Sequence, residues 1–227
     1  MKKRLVVLSG AGISAESGIR TFRDSGGLWE GHDIMEVASP QGWARGPQNV
    51  LEFYNQRRKD VRAAQPNAAH RFIHTLEKTY QVSVVTQNVD DLHERAGSTN
   101  ILHLHGEILK ARSTTDENEI IHLGKKDIHW GDKSANGAQL RPHIVWFGEQ
   151  VPKMEEAIQL VSRADILIII GTSLQVYPAA GLYDYAPAQA QIILVDPKAE
   201  QLSMSSKVNV LAYTAVESVP HLRELLV

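Results

Sequence analysis

The chain has 227 residues, of which 43% are apolar and 22% charged, and its 24 Lys and Arg against 26 Asp and Glu leave a formal net charge of −2. That length suits one full α/β domain with a small appended lobe, and the near balance of charge argues against a dedicated nucleic-acid binder. No cysteine is present, which excludes disulfides, thiolate nucleophiles and cysteine-held metals.

In chain order, the basic start Met1-Lys2-Lys3-Arg4 runs into Leu5–Leu8 and stops at Ser9-Gly10. The run is too short for a secretory core and reads as a first buried strand. From about residue 21 to 65 the chain is helix-rich, punctuated by Gly26-Gly27 and Pro40, with a local basic group at Arg57, Arg58, Lys59 and Arg62. Ala68–Lys78 predicts a helix. Val82–Thr86 predicts a strand leaving into Gln87-Asn88-Val89-Asp90, and Ile101–Leu104 a weaker one. Residues from about 113 to 139 are polar and turn-prone. Met154–Ser162 predicts a helix, Ile166–Ile170 a strand ending in Gly171-Thr172-Ser173, Ile192–Val195 another ending in Asp196-Pro197, and Asn209–Ala212 a weak last strand.

Continuous apolar runs of this kind mark strands buried on both faces, and their alternation with helices predicts an α/β, doubly wound, Rossmann-like parallel sheet. The whole of 1–227 is expected to be one catalytic domain, with a smaller lobe built by insertions at about 21–65 and 113–139. The longest apolar run falls far short of a membrane span, so a soluble, cytoplasmic protein with neither membrane nor nucleic-acid partner is expected. In such sheets ligands bind beyond the carboxyl ends of the strands, where the polar and Gly-rich exits gather here.

Gly10-Ala11-Gly12-Ile13-Ser14-Ala15 fits G-x-G-x-x-G/A directly after a strand, a turn that lets the backbone approach a pyrophosphate; a turn serving packing alone is the alternative. A hydride-transferring dehydrogenase is disfavoured, because Glu30 and Asp33 stand at the right distance for a ribose acid with no strand before them.

With Gly10–Gly18 (GAGISAESG), Thr21–Asp24 (TFRD), Gly27-Leu28-Trp29, Thr86–Asp90 (TQNVD), Leu104–Glu107 (LHGE) and Gly171–Val176 (GTSLQV) in that order, the chain resembles the sirtuins from about Leu5 to Leu226. The resemblance implies an NAD-dependent protein lysine deacylase acting on acyl-lysine proteins. Residues Gly10, Ala11, Gly12 and Ser14 would cradle the pyrophosphate of NAD. Phe22, Arg23 and Asp24 would sit on a loop closing over it, with Trp29 beside them. Gln87, Asn88, Val89 and Asp90 would meet the nicotinamide ribose and carboxamide. Gly171, Thr172 and Ser173 would contact the adenosine side, and Asp196 and Ala215 are counted with them. His105 matches the general base, with Asn88 the second catalytic residue. Histidine suits that task because its unperturbed pKa lies near working pH; a structural histidine is the alternative. His103, two residues earlier, would share its face as a supporting or packed residue. Val145, Phe147, Gly148 and Glu149 resemble a segment that pairs with an extended substrate, or an ordinary strand edge.

Tyr54 and Arg57 are three apart in a predicted helix and share a face. In sirtuins favouring succinyl, malonyl or glutaryl lysine such a pair reads the distal carboxylate, which Arg can clamp with two charge-assisted bonds. The plainer alternative is a solvated Arg beside a packed Tyr. Two departures stand out. The family's two zinc-binding cysteine pairs should fall near Ser113 and before Leu140-Arg141-Pro142, and neither exists. Glu119, His122, His129 and Asp132 match no common zinc spacing, so no metal is expected. The lobe is expected to rely on apolar residues instead, with Ile121/Leu123 and Ile128/Trp130 on two short half-buried strands. Asp196 stands where the family commonly has Asn, and would favour NAD over NADP unless it is a plain turn acid. Protein ADP-ribosyl transfer, NAD hydrolysis and non-catalytic NAD sensing are the competing functions; His105, Asn88 and Asp90 argue against them.

Overall fold

The structure, a computed structural model, describes residues 2–20, the backbone of 28–29, and residues 32–174, 176–199 and 207–227. In chain order its elements are β1 (Arg4–Ser9), α1 (Gly12–Ala15), β2 (Leu28–Trp29), β3 (His32–Asp33), α2 (Ile34–Val37), α3 (Pro40–Arg45), α4 (Pro47–Ala63), α5 (Ala68–Leu76), β4 (Gln81–Thr86), α6 (Leu92–Ala96), β5 (Ile101–His103) and β6 (Gly106–Ser113). Then come β7 (Ile120–His122), β8 (Leu140–Ile144), α7 (Met154–Val161), β9 (Ile166–Ile170), a 3-10 turn (Ala179–Tyr185), β10 (Gln191–Val195), β11 (Val208–Leu211) and α8 (Val219–Leu226).

Six strands form one parallel sheet in the order β11-β10-β9-β1-β4-β5. Period-two alternation splits each strand between two cores. Leu5 and Val7 pack with α5 and α8 on one side, and Val6 and Leu8 with α7 and the 3-10 turn on the other. The chain runs outward from β1 through β4 to β5, then returns to lay β9 on the opposite flank of β1. The strand order reverses between β1 and β9, and such a reversal opens a crevice at the carboxyl ends of the two strands.

The lobe joins α2, α3 and α4 to an antiparallel sheet in the order β7-β6-β8. Ser39 caps α3 by accepting from the Gly42 N–H at 3.0 Å, with Pro40 in the first turn. The inner face of α4 buries Val50, Phe53, Tyr54 and Val61 against Ile108, Ile144 and Trp146. The antiparallel sheet runs from Gly106, where β6 starts, to Ile144, where β8 ends.

Of the two expected lobe strands, Ile120–His122 forms and the Ile128/Trp130 pair does not. Ile128 is fully buried, yet its backbone pairs with no strand. Its N–H donates to Asn55 Oδ1 at 3.0 Å and its carbonyl accepts from Asn55 Nδ2 at 2.8 Å, so one side-chain amide of α4 replaces a neighbouring strand. Trp130 is 55% exposed, 6.5 Å from the Trp43 ring. Ile128, Leu123, Leu51, Ala111 and Leu140 form a small separate core, with Ile121 against it. Beside it, Ser134 Oγ lies 2.7 Å from Asn136 Oδ1 and 3.2 Å from Ser113 Oγ, and Asn136 Nδ2 donates to Thr115 Oγ1 at 3.1 Å. A hydroxyl and amide bridge therefore ties together the two segments where cysteine pairs were sought. Glu119 accepts from the Ala135 N–H and Asp132 from the His129 N–H, so both carboxylates serve turns.

Candidate functional site

The exits of β1 and β9 interlock at the crevice. Gly10 N–H donates to Ile170 O at 3.0 Å and Gly12 N–H to Gly171 O at 2.8 Å. A Cβ on Gly12 would lie 2.7 Å from Gly171 Cα, one on Gly10 2.7 Å from Thr172 Cβ, and one on Gly171, where φ is +65°, 2.2 Å from Ile13 N. These glycines lock two loops side by side, and Ala11 stays exposed at the rim.

The β4 exit supplies the next layer. Asn88 Nδ2 donates to Ser14 Oγ at 3.1 Å, and Ser14 Oγ donates to Asp90 Oδ2 at 2.9 Å. Asp90 Oδ1 takes the Leu92 N–H at 3.1 Å. Asn88 and Asp90 are each 6% exposed. Burial pushes the Asp90 carboxyl above its ordinary range, against the bonds from Leu92 and Ser14. Val89 packs on the lobe core and its carbonyl accepts from Ile108 N at 2.8 Å. Gln87 Nε2 reaches across to Thr172 Oγ1 at 3.2 Å, joining the β4 and β9 exits, and Ser173 follows half-buried.

His105 leads from β5 into β6, its Nδ1 3.1 Å from Gln87 O. A carbonyl only accepts, so Nδ1 carries the proton and the neutral ring presents Nε2 as a base. Burial draws its pKa below the ordinary histidine value, against the bond to Gln87, which keeps the ring neutral at physiological pH. Gln87 meets Thr172 and His105, and Asn88 and Asp90 meet Ser14, so these residues form one connected group at the strand exits.

Two residues expected on the adenosine side sit less openly. Asp196 is buried at the β10 exit, with Oδ1 accepting the Lys198 N–H at 2.9 Å, so the carboxylate shapes the turn. Ala215 turns its methyl into the core and its carbonyl accepts from Ser218 Oγ at 2.8 Å. Phe22, Arg23, Asp24 and the Trp29 side chain lie outside the described residues.

Tyr54 is fully buried, and its hydroxyl accepts from Trp146 Nε1 at 3.1 Å. Burial raises its pKa far beyond reach, so it stays a neutral hydroxyl. Arg57, one turn on and 6% exposed, sends Nη2 to Arg20 O at 3.4 Å. The Arg57 charge bears on the Tyr54 hydroxyl, and that hydroxyl meets the segment Val145–Glu149 through Trp146. That segment is pinned by Val145 N to His105 O and Phe147 N to Ala38 O, each 2.9 Å. Phe147 and Gly148 are exposed, Gly148 at φ +90°. Glu149 differs from the expected substrate contact: its carboxylate turns inward to Arg141 (2.7 and 3.1 Å), Arg112 (3.3 Å) and the Trp146 N–H (2.8 Å). Sequence reasoning missed Arg141, whose guanidinium also stacks 3.3 Å over the Trp146 ring and so orients the indole toward Tyr54. Its place in Leu140-Arg141-Pro142, just before Val145, was the signal available. A cavity of about 800 Å³ lies along α4, lined by Glu52, Phe53, Arg57, Lys59, Asp127 and Trp130 among others.

Residues 10–178 match the Sir2 family. The chain is 58% identical over 225 residues to a Helicobacter pylori protein named NAD-dependent protein deacylase, covering 99% of this chain and 96% of that one. A Bacteroides thetaiotaomicron protein of the same name is 50% identical over 230 residues, covering 99% and 98%. Among solved structures, an NAD complex of a Sir2 homolog superposes with TM-score 0.87 at 40% identity, covering 100% of this chain and 91% of that one. An ADP-ribose complex of a Sir2 homologue gives 0.88 at 39%, covering 99% and 94%. Matched by the Sir2 family over residues 10–178 and by relatives of 50% and 58% identity along nearly its whole length, the chain belongs to the Sir2 family.

Proposed function

We infer that this NAD-dependent protein deacylase favours lysines carrying acidic acyl groups, of succinyl or malonyl type, with acetyl as a lesser substrate, and works without a structural metal. The crevice fits NAD on its own geometry. Its glycine loops leave no side chain between β1 and β9, and buried donors and acceptors line the β4 exit. Gly10, Ala11, Gly12 and Ser14 would hold the pyrophosphate, Gln87, Asn88 and Asp90 the nicotinamide end, and Thr172, Ser173 and Asp196 the adenosine end. When bound, NAD offers a ribose carbon that becomes electrophilic as nicotinamide departs, and the acyl oxygen of the substrate attacks it. His105 Nε2 takes the proton of a ribose hydroxyl, and Val145–Gly148 aligns the substrate backbone. One water is consumed as the acyl–lysine C–N bond breaks, so that free lysine, nicotinamide and an O-acyl-ADP-ribose would be the products. His105 in this role speaks against protein ADP-ribosyl transfer.

One observation carries the acyl preference: a buried Tyr54 hydroxyl, bonded to Trp146 of the segment proposed to align the substrate, stands one helical turn from a nearly buried Arg57 on α4. A guanidinium there is poorly hydrated and gains from an anionic partner. Matched acetyl- and succinyl-lysine peptides with NAD and EDTA, followed by mass spectrometry, test the reading. Succinyl should disappear faster, giving O-succinyl-ADP-ribose. Arg57→Met should lower kcat/KM for succinyl roughly 10- to 100-fold, the loss of one or two charge-assisted bonds, while sparing acetyl. Equal loss of both would discard the clamp.

A further inference from the structure

Two histidines hold consecutive carbonyls of the β4 exit: His105 Nδ1 lies 3.1 Å from Gln87 O, and His103 Nδ1 lies 3.0 Å from Asn88 O. At Nε2 the rings part company. His103 Nε2 is 2.7 Å from Glu94 Oε1 in α6, a second acceptor, whereas His105 Nε2 has no partner among the described residues. A ring between a carbonyl and a carboxylate satisfies both only when both nitrogens carry protons. His103 is therefore an imidazolium, its side chain 9% exposed.

We propose that Glu94 and His103 form a positioning pair that fixes the Asn88 peptide for NAD and sets an upper pH limit on NAD use. The proposal rests on the reading that Asn88 meets the nicotinamide end. Asn88 is held at two points, its side chain on Ser14 and its carbonyl on His103. Loss of one proton from His103 leaves the remaining proton drawn toward the Glu94 carboxylate. The bare Nδ1 lone pair then faces the Asn88 carbonyl oxygen at 3.0 Å, and attraction turns to repulsion.

The surrounding charges favour the doubly protonated ring. Burial alone pulls the His103 pKa down, but the bond and charge of Glu94, the Asn88 carbonyl and Glu107 together lift it above the ordinary value. Also facing it are Asp90 from the preceding loop and the buried neutral His93 of α6, while Glu107 is partly offset by Lys110 at 2.5 Å. A histidine whose pKa is raised on folding contributes its clamp below the unfolded value and loses it as pH rises through the folded one.

The test compares wild type with Glu94→Gln in kcat/KM for NAD across pH at saturating acyl peptide. Calorimetry of NAD binding and an NMR titration of the His103 ring run over the same pH range. The variant should titrate His103 about one pH unit lower. Because the introduced glutamine amide can donate to Nε2 and leave the last proton on Nδ1, it should also flatten the alkaline limb, so that KM for NAD at about pH 8 falls toward its value at about pH 6. KM for acyl peptide should stay within about twofold, wild type and variant should use NAD alike near pH 6, and Glu94→Asp should keep part of the limb. An unchanged NAD limb and NAD affinity, despite a lowered His103 titration, overturns the proposal. So does a uniform loss of kcat and melting temperature at every pH, which is what a purely structural pair would give. If wild type releases no nicotinamide with acyl peptide, the deacylase reading fails instead, and the pH dependence of NAD affinity still decides the pair.

Discussion

At the scale of single residues, function follows from what faces each ring nitrogen. His103 and His105 are two apart on one face and both donate through Nδ1, yet one is held charged and the other neutral. Since burial lowers the His105 pKa, the acid limb of kcat/KM should lie below the ordinary histidine range, and a pH–rate profile checks this. His105→Asn should reduce kcat by roughly 10²- to 10⁴-fold while NAD still binds. The sequence showed which histidine terminates a strand before a glycine, and that much was legible. It did not show Glu94 reaching His103 across nine residues, or Glu149 turning inward, because both depend on how α6 and β8 are laid against the sheet.

At the scale of elements, the interlock of the β1 and β9 exits is where backbone geometry is least forgiving. Gly171 combines a positive φ with a Cβ position 2.2 Å from Ile13 N, which is backbone and cannot swing aside. Gly171→Ala should therefore destabilise the chain by about 2–4 kcal/mol and weaken NAD binding, seen as a lower melting temperature and a raised Kd. Gly18, with its positive φ but open surroundings, should tolerate Ala far better. All six sheet strands were legible to within about a residue at each end, because strands buried on both faces write an unbroken apolar run. The lobe was less legible for the same physical reason in reverse. Ile128 and Trp130 alternate as a half-buried strand does, but the partner of Ile128 is the Asn55 amide, which no periodicity reveals.

At the scale of the whole molecule, α4 and the antiparallel sheet carry an apolar core apart from those of the parallel sheet. That core predicts indifference to chelators: EDTA or phenanthroline should leave melting temperature and turnover unchanged. Ile128→Ala, by contrast, should cost about 2–4 kcal/mol as a cavity opens under the lobe, or very roughly 5–15 °C in a chain of this size. A chelator-induced drop in either readout would mean that a metal supports the lobe after all.

The bridge of Ser113, Ser134 and Asn136 also bears on chemical durability. Peroxide and alkylating agents act on thiolates, ejecting any ion they hold, and this chain offers none. Hydroxyls and amides are inert to both reagents, so the segments joined there stay joined under oxidation. What remains oxidisable is thioether sulfur, and exposed Met35, on the helix preceding the Ser39 cap, is the described residue where sulfoxide should form first.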